Sequence, residues 1–218
     1  MARRLVRTGL IGLGVYLAVA VAAQVVTFVA VGVARLTAGD PRSDEVGGVA
    51  NFRMADEKVW FGGQPEEEAY AELARQGVTT IVDLRTGADD DERQADPDEL
   101  RTLGVDYRSI PVPDGHAPAR ADVRALLDVI DGAPGVVFVH CGGGVGRSTT
   151  MQAAYLAASG QEPGVGELLA VGPMTAEQAW VVAAGRAGSP GSSNVVVRRV
   201  SEALDAPRRA LSRIRALP

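Results

Sequence analysis

From Thr8 to Ala34 the chain carries no charged side chain. This run limits the fold more than any other feature. The 25 residues Leu10–Ala34 are nearly all Val, Ala, Leu, Gly and Ile, with Tyr16 and Phe28 among them. As a helix rising ~1.5 Å per residue they extend about 37 Å, enough to cross a hydrocarbon core of ~30 Å. The run exceeds the ~7–15-residue apolar part of a cleavable signal. A small globular domain seldom hides a helix that is apolar all round. One membrane-spanning helix is therefore expected, with Gln24 as a lone amide tolerated near its middle.

Charge supports this reading. Residues 1–35 hold four arginines and no acid. Residues 195–218 hold six arginines against Glu202 and Asp205. The whole chain nevertheless has a net charge of −5, so an acidic body lies between two basic ends. Such asymmetry points to a membrane before a nucleic acid. Three arginines and the free amine precede the helix; Arg35 and Arg42 follow it among Asp40, Asp44 and Glu45. Counting Lys and Arg places the N-terminus in the cytoplasm and the body outside, as a single-pass membrane protein.

Composition excludes several classes. Aromatics at 5% argue against a stacking platform, and the acidic balance against a nucleic-acid partner. One cysteine cannot make an internal disulfide or a Cys-only metal cluster, and two histidines make a His-based metal site improbable. No metal and no cofactor is expected.

The rest divides by composition into a membrane anchor over 1–36, a Gly/Asp/Ser/Pro-rich linker over 37–51, a soluble domain over 52–185, and a linker with a basic tail over 186–218. Strands are expected at Lys58–Phe61, Val78–Leu84, Val105–Pro111 and Val136–Val139. Helical spacing marks Glu66–Gln76, Pro97–Leu103, Arg120–Ile130, Thr149–Ala158 and Thr175–Ala184. The acidic run Ala88–Asp98 reads as a solvated loop or helix start, Gly185–Asn194 as a flexible linker, and the arginine-rich tail as a solvated face. The alternation implies an α/β domain with a central, mostly parallel sheet flanked by helices, preceded by one transmembrane helix. Such sheets bind ligands at the carboxyl ends of their strands.

One segment sits at such an end. The strand Val136–Val139 runs into His140-Cys141-Gly142-Gly143-Gly144-Val145-Gly146-Arg147-Ser148. The glycines let the backbone bend tightly and turn several N–H groups inward. With the helix that follows, residues 142–146 form a cradle for a tetrahedral anion, and the planar fork of Arg147 grips two of its oxygens. Cys141 lies at the base of that positive field. Sites of this kind lower a cysteine pKa from about 8.5 into the range ~3.5–7.5. A thiolate beneath a bound phosphate is an activated nucleophile. Ser148 can offer its hydroxyl to the sulfur as the sulfur leaves. His140 is expected to orient the loop rather than carry protons. Arg85 is expected to pair with Asp83 or the acidic run.

The segment resembles the His-Cys-x5-Arg-Ser/Thr signature of the cysteine-dependent protein tyrosine phosphatases, and Gly-Val-Gly-Arg-Ser looks most like the dual-specificity branch. Val59–Pro65 (VWFGGQP), Thr80–Arg85 (TIVDLR) and Ile110–Pro118 (IPVPDGHAP) are similar to compact bacterial and fungal members. The resemblance covers residues 52–185. Thr149 departs from it, since many relatives have glycine there; an effect on helix packing is expected, and none on catalysis. The resemblance implies hydrolysis of phosphotyrosine, phosphoserine or phosphothreonine in proteins through a cysteinyl-phosphate. It also implies a general acid on a separate loop. Asp114, in a Pro/Gly loop 27 positions before Cys141, fits that place. His116 in the same loop reads as solvent-side.

Three rivals stay open at this point. A membrane-held site could act on lipid phosphates such as a phosphoinositide or phosphatidylglycerophosphate. The loop could bind a phosphorylated partner without turnover. A sulfurtransferase also uses a cysteine loop, usually with different spacing.

Overall fold

The computed structural model describes residues 2–87, 96–162, 164–184 and 195–215, with side chains from Thr8 to Pro207 within those ranges. Five strands form one sheet in the order β1-β2-β5-β3-β4: β1 (Arg53–Met54), β2 (Val59–Gly62), β3 (Val78–Asp83), β4 (Asp106–Ser109) and β5 (Val136–His140). β1 is an antiparallel edge; every other pairing is parallel. The sheet is the mostly parallel one that the alternating runs predict.

Its central strands are buried on both faces, which is why their sequences are continuous apolar runs rather than alternations. Val59, Phe61, Val82, Val137 and Val139 point into one core, with α4 (Arg120–Gly132), α5 (Gly146–Ala158) and α7 (Ala176–Ala183). Trp60, Val78, Ile81 and Phe138 point into the other, with α2 (Glu67–Arg75) and α3 (Pro97–Thr102). The linker contributes to this second core: Val46 and Val49 are buried there. The register sets Gly62, Asp83 and His140 side by side at the carboxyl ends of β2, β3 and β5. The loops that follow these strands therefore converge.

Two stretches of the sequence reading lie largely outside the described residues, the acidic run over 88–95 and the linker over 185–194. The acidic run ends in structure. Asp96 caps α3, its Oδ1 accepting from the Asp98 amide at 2.8 Å, with Pro97 at the first helical position.

The ends of the chain differ from expectation. The N-terminal helix, α1, runs Ala2–Ala38, and its span Thr8–Ala38 is long and apolar enough to cross a membrane. Yet it is two-faced. Ala20, Val31 and Ala34 are buried on α6 (Val165–Ala170), a helix the sequence reading missed, and on α8 (Val195–Arg215). Leu10, Leu13, Val19, Val26, Phe28 and Val33 face outward. Arg35 donates to the Ala170 and Val171 carbonyls at 2.8 and 3.2 Å, a cation at the carboxyl end of α6.

The tail is not wholly a solvated face. Ser201 and Asp205 of α8 are buried, and Asp205 accepts from Gln24 Nε2 at 3.1 Å, so the amide in α1 has a partner. α8 continues through Pro207. A proline has no N–H for the carbonyl four residues earlier. That carbonyl, on Ala203, instead accepts from the Tyr16 hydroxyl at 2.6 Å.

This pairing predicts a thermodynamic coupling. Tyr16→Phe should cost about 1 kcal/mol in the native chain and much less in a Pro207→Ala background, where residue 207 supplies its own donor. Thermal unfolding in detergent of the two single variants and the double variant measures it. Equal costs in both backgrounds contradict the assignment.

Candidate active site

The site grows from the end of β5. Cys141 follows directly, 3% exposed, and the backbone turns over Gly142–Val145 before α5 begins at Gly146. Helix starts three residues earlier than the apolar spacing indicates, so Arg147 lies in its first turn. Two glycines are required by space. Gly144 has φ 71°, and a Cβ there would lie 2.6 Å from the Gly62 carbonyl carbon. A Cβ on Gly146 would meet Gln178 Oε1 at 2.5 Å.

The peptide planes of the loop are held by their carbonyls. Gly142 O accepts from the Gln64 amide at 2.8 Å, Gly143 O from Asn51 Nδ2 at 2.8 Å, and Gly144 O from Arg53 Nη1 at 2.9 Å. In a trans peptide the N–H points opposite to the C=O. Fixing three successive carbonyls on the side of Asn51, Arg53 and Gln64 turns the amides of Gly143, Gly144 and Val145 the other way. This forms an anion-binding concavity at the start of a helix.

Arg147 is 4% exposed; its Nη1 donates to Val112 O at 3.4 Å, and its Nη2 lies 3.5 Å from Asp114 Oδ1. Arg147 and Asp114, 33 positions apart in sequence, thus converge. The Asp114 side chain is half exposed. Its loop is tied to the carboxyl end of β3, where the Ile110 and Val112 amides donate to Asp83 O and Leu84 O at 2.9 and 3.0 Å. The other side of the loop rests on α7. Thr175 Oγ1 donates to Gly115 O at 2.7 Å, and Gln178 Nε2 to His116 O at 3.0 Å. The same two residues cap α7, because the Gln178 amide donates to Thr175 Oγ1 and the Thr175 amide to Gln178 Oε1. His116 does not face solvent as expected; its Nδ1 is 2.8 Å from Glu177 Oε2.

Ser148 is fully buried and its Oγ donates to Gly62 O at 2.9 Å, the carbonyl that also accepts from the Cys141 amide at 3.4 Å. In this state the hydroxyl donates to a backbone carbonyl; donation to a leaving thiolate needs rotation about its side chain. Thr149 departs from expectation. Its hydroxyl accepts from Arg53 Nη2 at 3.0 Å, so it serves the loop and not only helix packing.

His140 is fully buried, stacked on Phe138, with Nδ1 3.4 Å from Cys141 O. Burial pushes it down to about 4; Asp83 opposes this, and Arg85 adds to it. It is neutral at ordinary pH and unsuited to carry protons. Arg85 pairs with Asp83 at 2.8 Å, as the sequence suggests, both about 1% exposed. Burial raises Asp83, but the hydrogen bond from Arg85 and the neighbouring His140 outweigh it and hold the carboxyl below its usual range.

Among the described residues no group of three or more His, Cys, Asp or Glu is placed to hold a metal ion. The residues that sequence reasoning missed are Asn51, Arg53, Thr175, Glu177 and Gln178. Thr175 and Gln178 stand in the Thr-x-x-Gln spacing of a helix cap, which marks the start of α7 but not its contact with the Asp114 loop. Asn51, Arg53 and Glu177 stand in no recognisable spacing and act by touching the loop ends from another element.

Residues 41–181 match the family model described as "DSP-PTPase phosphatase fused to NAD+ Kinase", more than half of the chain. Mouse dual specificity protein phosphatase CDC14B is 34% identical over 79 residues, covering 36% of this chain and 15% of that one. Putative tyrosine phosphatase 067L of Invertebrate iridescent virus 3 is 32% identical over 115 residues, covering 50% of this chain and 45% of that one. The chain thus spans less than half the length of these curated relatives. A putative phosphatase of Shewanella putrefaciens CN-32 superposes with a TM-score of 0.49 at 25% identity, over 58% of this chain and 83% of that one.

His140 makes stability depend on pH with a definite sign. Its folded pKa lies below the unfolded ~6.5, so the unfolded chain binds the extra proton between the two values. The contribution is present above pH ~6.5 and is lost as pH falls toward 4, on the order of 3 kcal/mol in all. Urea unfolding at a series of pH values should show this loss in the native chain and not in His140→Gln. An identical pH dependence in both contradicts the buried, neutral assignment.

Proposed function

This chain belongs to the dual-specificity-type branch of the cysteine-dependent protein tyrosine phosphatases, and on that premise we propose that it hydrolyses phosphate monoesters of tyrosine, serine or threonine in protein substrates. The observation that carries the reading is the convergence of Arg147 and Asp114 at 3.5 Å over a loop whose amides face away from three anchored carbonyls.

The chemistry follows from the placement. Phosphate oxygens take the amides of Gly142–Gly146 and the fork of Arg147. The dianion competes with the Asp114 carboxylate for the Arg147 fork, and its greater charge together with the loop amides favours the phosphate. Asp114 takes a proton from solvent as the dianion binds and returns it when inorganic phosphate departs; the proton relieves the repulsion between the two acids and lies beside the ester oxygen. The Cys141 thiolate attacks phosphorus in line, the ester bond breaks, and Asp114 protonates the leaving oxygen. The Asp114 carboxylate next takes a proton from water, water attacks the cysteinyl-phosphate, and sulfur leaves as thiolate, with Ser148 turned toward it. Inorganic phosphate is released. The enzyme's charge and protons return to their starting state without a metal.

α1 attaches this domain to a membrane through the apolar face it leaves bare. The excess of arginine before the helix favours a body on the extracytoplasmic side. The same face supports a second reading, a lipid phosphate substrate presented by the bilayer. A silent phospho-binding module fits less well, since Cys141, Arg147 and Asp114 are all present.

Cys141→Ser should abolish turnover and keep the substrate bound. Asp114→Asn should lower kcat/KM about 10²–10⁴-fold on alkyl phosphates and far less on p-nitrophenyl phosphate, whose leaving group needs no proton, while kcat falls on both because the attacking water loses its base. EDTA should leave the rate unchanged. Turnover that EDTA removes and zinc restores contradicts the mechanism. Faster turnover of phosphoinositides in vesicles than of phosphopeptides overturns the protein-substrate reading in favour of lipid.

A further inference from the structure

Behind the anion loop lies a cation that the reaction above does not use. Arg53, on the edge strand β1, is 2% exposed. It pairs in register with Phe61 of β2, and its guanidinium carbon sits 5.9 Å from the Phe61 ring centroid. Four hydrogen bonds leave its fork. Nη1 donates to Gly144 O and Asn51 O, both at 2.9 Å, Nη2 to Thr149 Oγ1 at 3.0 Å, and Nε to Gln152 Oε1 at 2.5 Å. The contacts reach both ends of the turn, the loop at Gly144 and the first two turns of α5 at Thr149 and Gln152. Asn51, held at φ 52°, grips the adjacent carbonyl of Gly143.

All these acceptors are neutral. A buried guanidinium with no carboxylate among its hydrogen-bond partners is costly unless a counter-charge arrives. Burial pulls Arg53 down to about 10, and negative charge at Cys141 pulls it back up. A phosphate seated on the amides would add to that negative charge on the other side of the loop.

We propose that Arg53 is a positioning residue for the anion site: it locks the Gly144 carbonyl outward so that the Val145 amide faces inward, and it supplies, with Arg147, the second fixed positive charge that balances thiolate and phosphate. This rests on Cys141 being the nucleophile. Among the described residues, the other charged or titratable groups that meet at the loop are Arg147 on α5, with Asp114 beside it, His140 on β5, and the Asp83–Arg85 pair next to His140. Among the described residues Arg53, unlike Asp83 and Arg85, has no carboxylate paired with it, so its field is not cancelled by an ion pair. The Thr149 hydroxyl belongs to this set of acceptors.

Cys141 is the only cysteine, so its alkylation by iodoacetamide against pH reads the thiolate without reference to turnover. In the full chain in detergent, Arg53→Met should move the alkylation midpoint up by about one pH unit and weaken vanadate binding at least about tenfold. Arg53→Lys keeps the charge but cannot hold several acceptors with one fork, so it should keep the native midpoint and still bind vanadate more weakly. If Arg53→Met does not fold, Thr149→Val takes its place; it removes an acceptor, keeps the charge, and should weaken vanadate with an unchanged midpoint. Native midpoint and native vanadate affinity in Arg53→Met, equal midpoint shifts in the Met and Lys variants, or native vanadate affinity in Thr149→Val overturns the proposal. A native chain that shows these shifts yet hydrolyses no phosphate ester sinks the catalytic reading and leaves the role of Arg53 standing.

Discussion

The site depends on the close approach of two backbones, Gly62–Gly63 leaving β2 and Gly142–Gly144 leaving β5. Gly62 O takes the Cys141 amide and the Ser148 hydroxyl. The Gln64 amide takes Gly142 O. A side chain at residue 144 would collide with Gly62 and Gly63. The parallel pairing of β2 with β5 brings the two segments to one level. Once they are there, the glycines let them touch, and the loop has little freedom over which way its peptides point. Binding of a tetrahedral anion then needs little reorganisation, which is what makes fixed dipoles effective in catalysis.

The loop bearing Asp114 is held by a second set of contacts that reaches α8 and α1. Thr175, Glu177 and Gln178 at the start of α7 grip Gly115 and His116. The Glu177 amide donates to Ser201 of α8 at 3.0 Å, and α8 meets α1 through Asp205 and Ala203. A continuous run of contacts thus joins the apolar N-terminal helix to the loop bearing Asp114. The α/β core, α1 and α8, distinct by composition, are joined by side-chain contacts.

Much of this was legible in the sequence, for physical reasons. Buried parallel strands need continuous apolar residues, so Val78–Leu84 and Val136–Val139 stood out, each within one residue of the strand that forms. A turn that exposes amides needs glycine, so the loop after Cys141 stood out too. Arg53 did not, because a buried arginine has the same letter as a solvated one and its partners come from Gly144, Thr149 and Gln152. α8 was hidden by its arginines and by Pro207, whose missing donor is made good by Tyr16 from the opposite end of the chain. Ser148 was given its role from position alone. Its proton goes to Gly62 O because that carbonyl lies within reach, which no spacing could reveal.

The central claim is that a thiolate beneath inward-facing amides takes the phosphoryl group onto sulfur. Rapid acid quench of Asp114→Asn during turnover of p-nitrophenyl phosphate, followed by peptide mass spectrometry, tests it most directly. The account predicts the mass of one phosphoryl group on the peptide containing Cys141, absent in Cys141→Ser. Turnover with no modified peptide, or with the phosphoryl group on another residue, contradicts it.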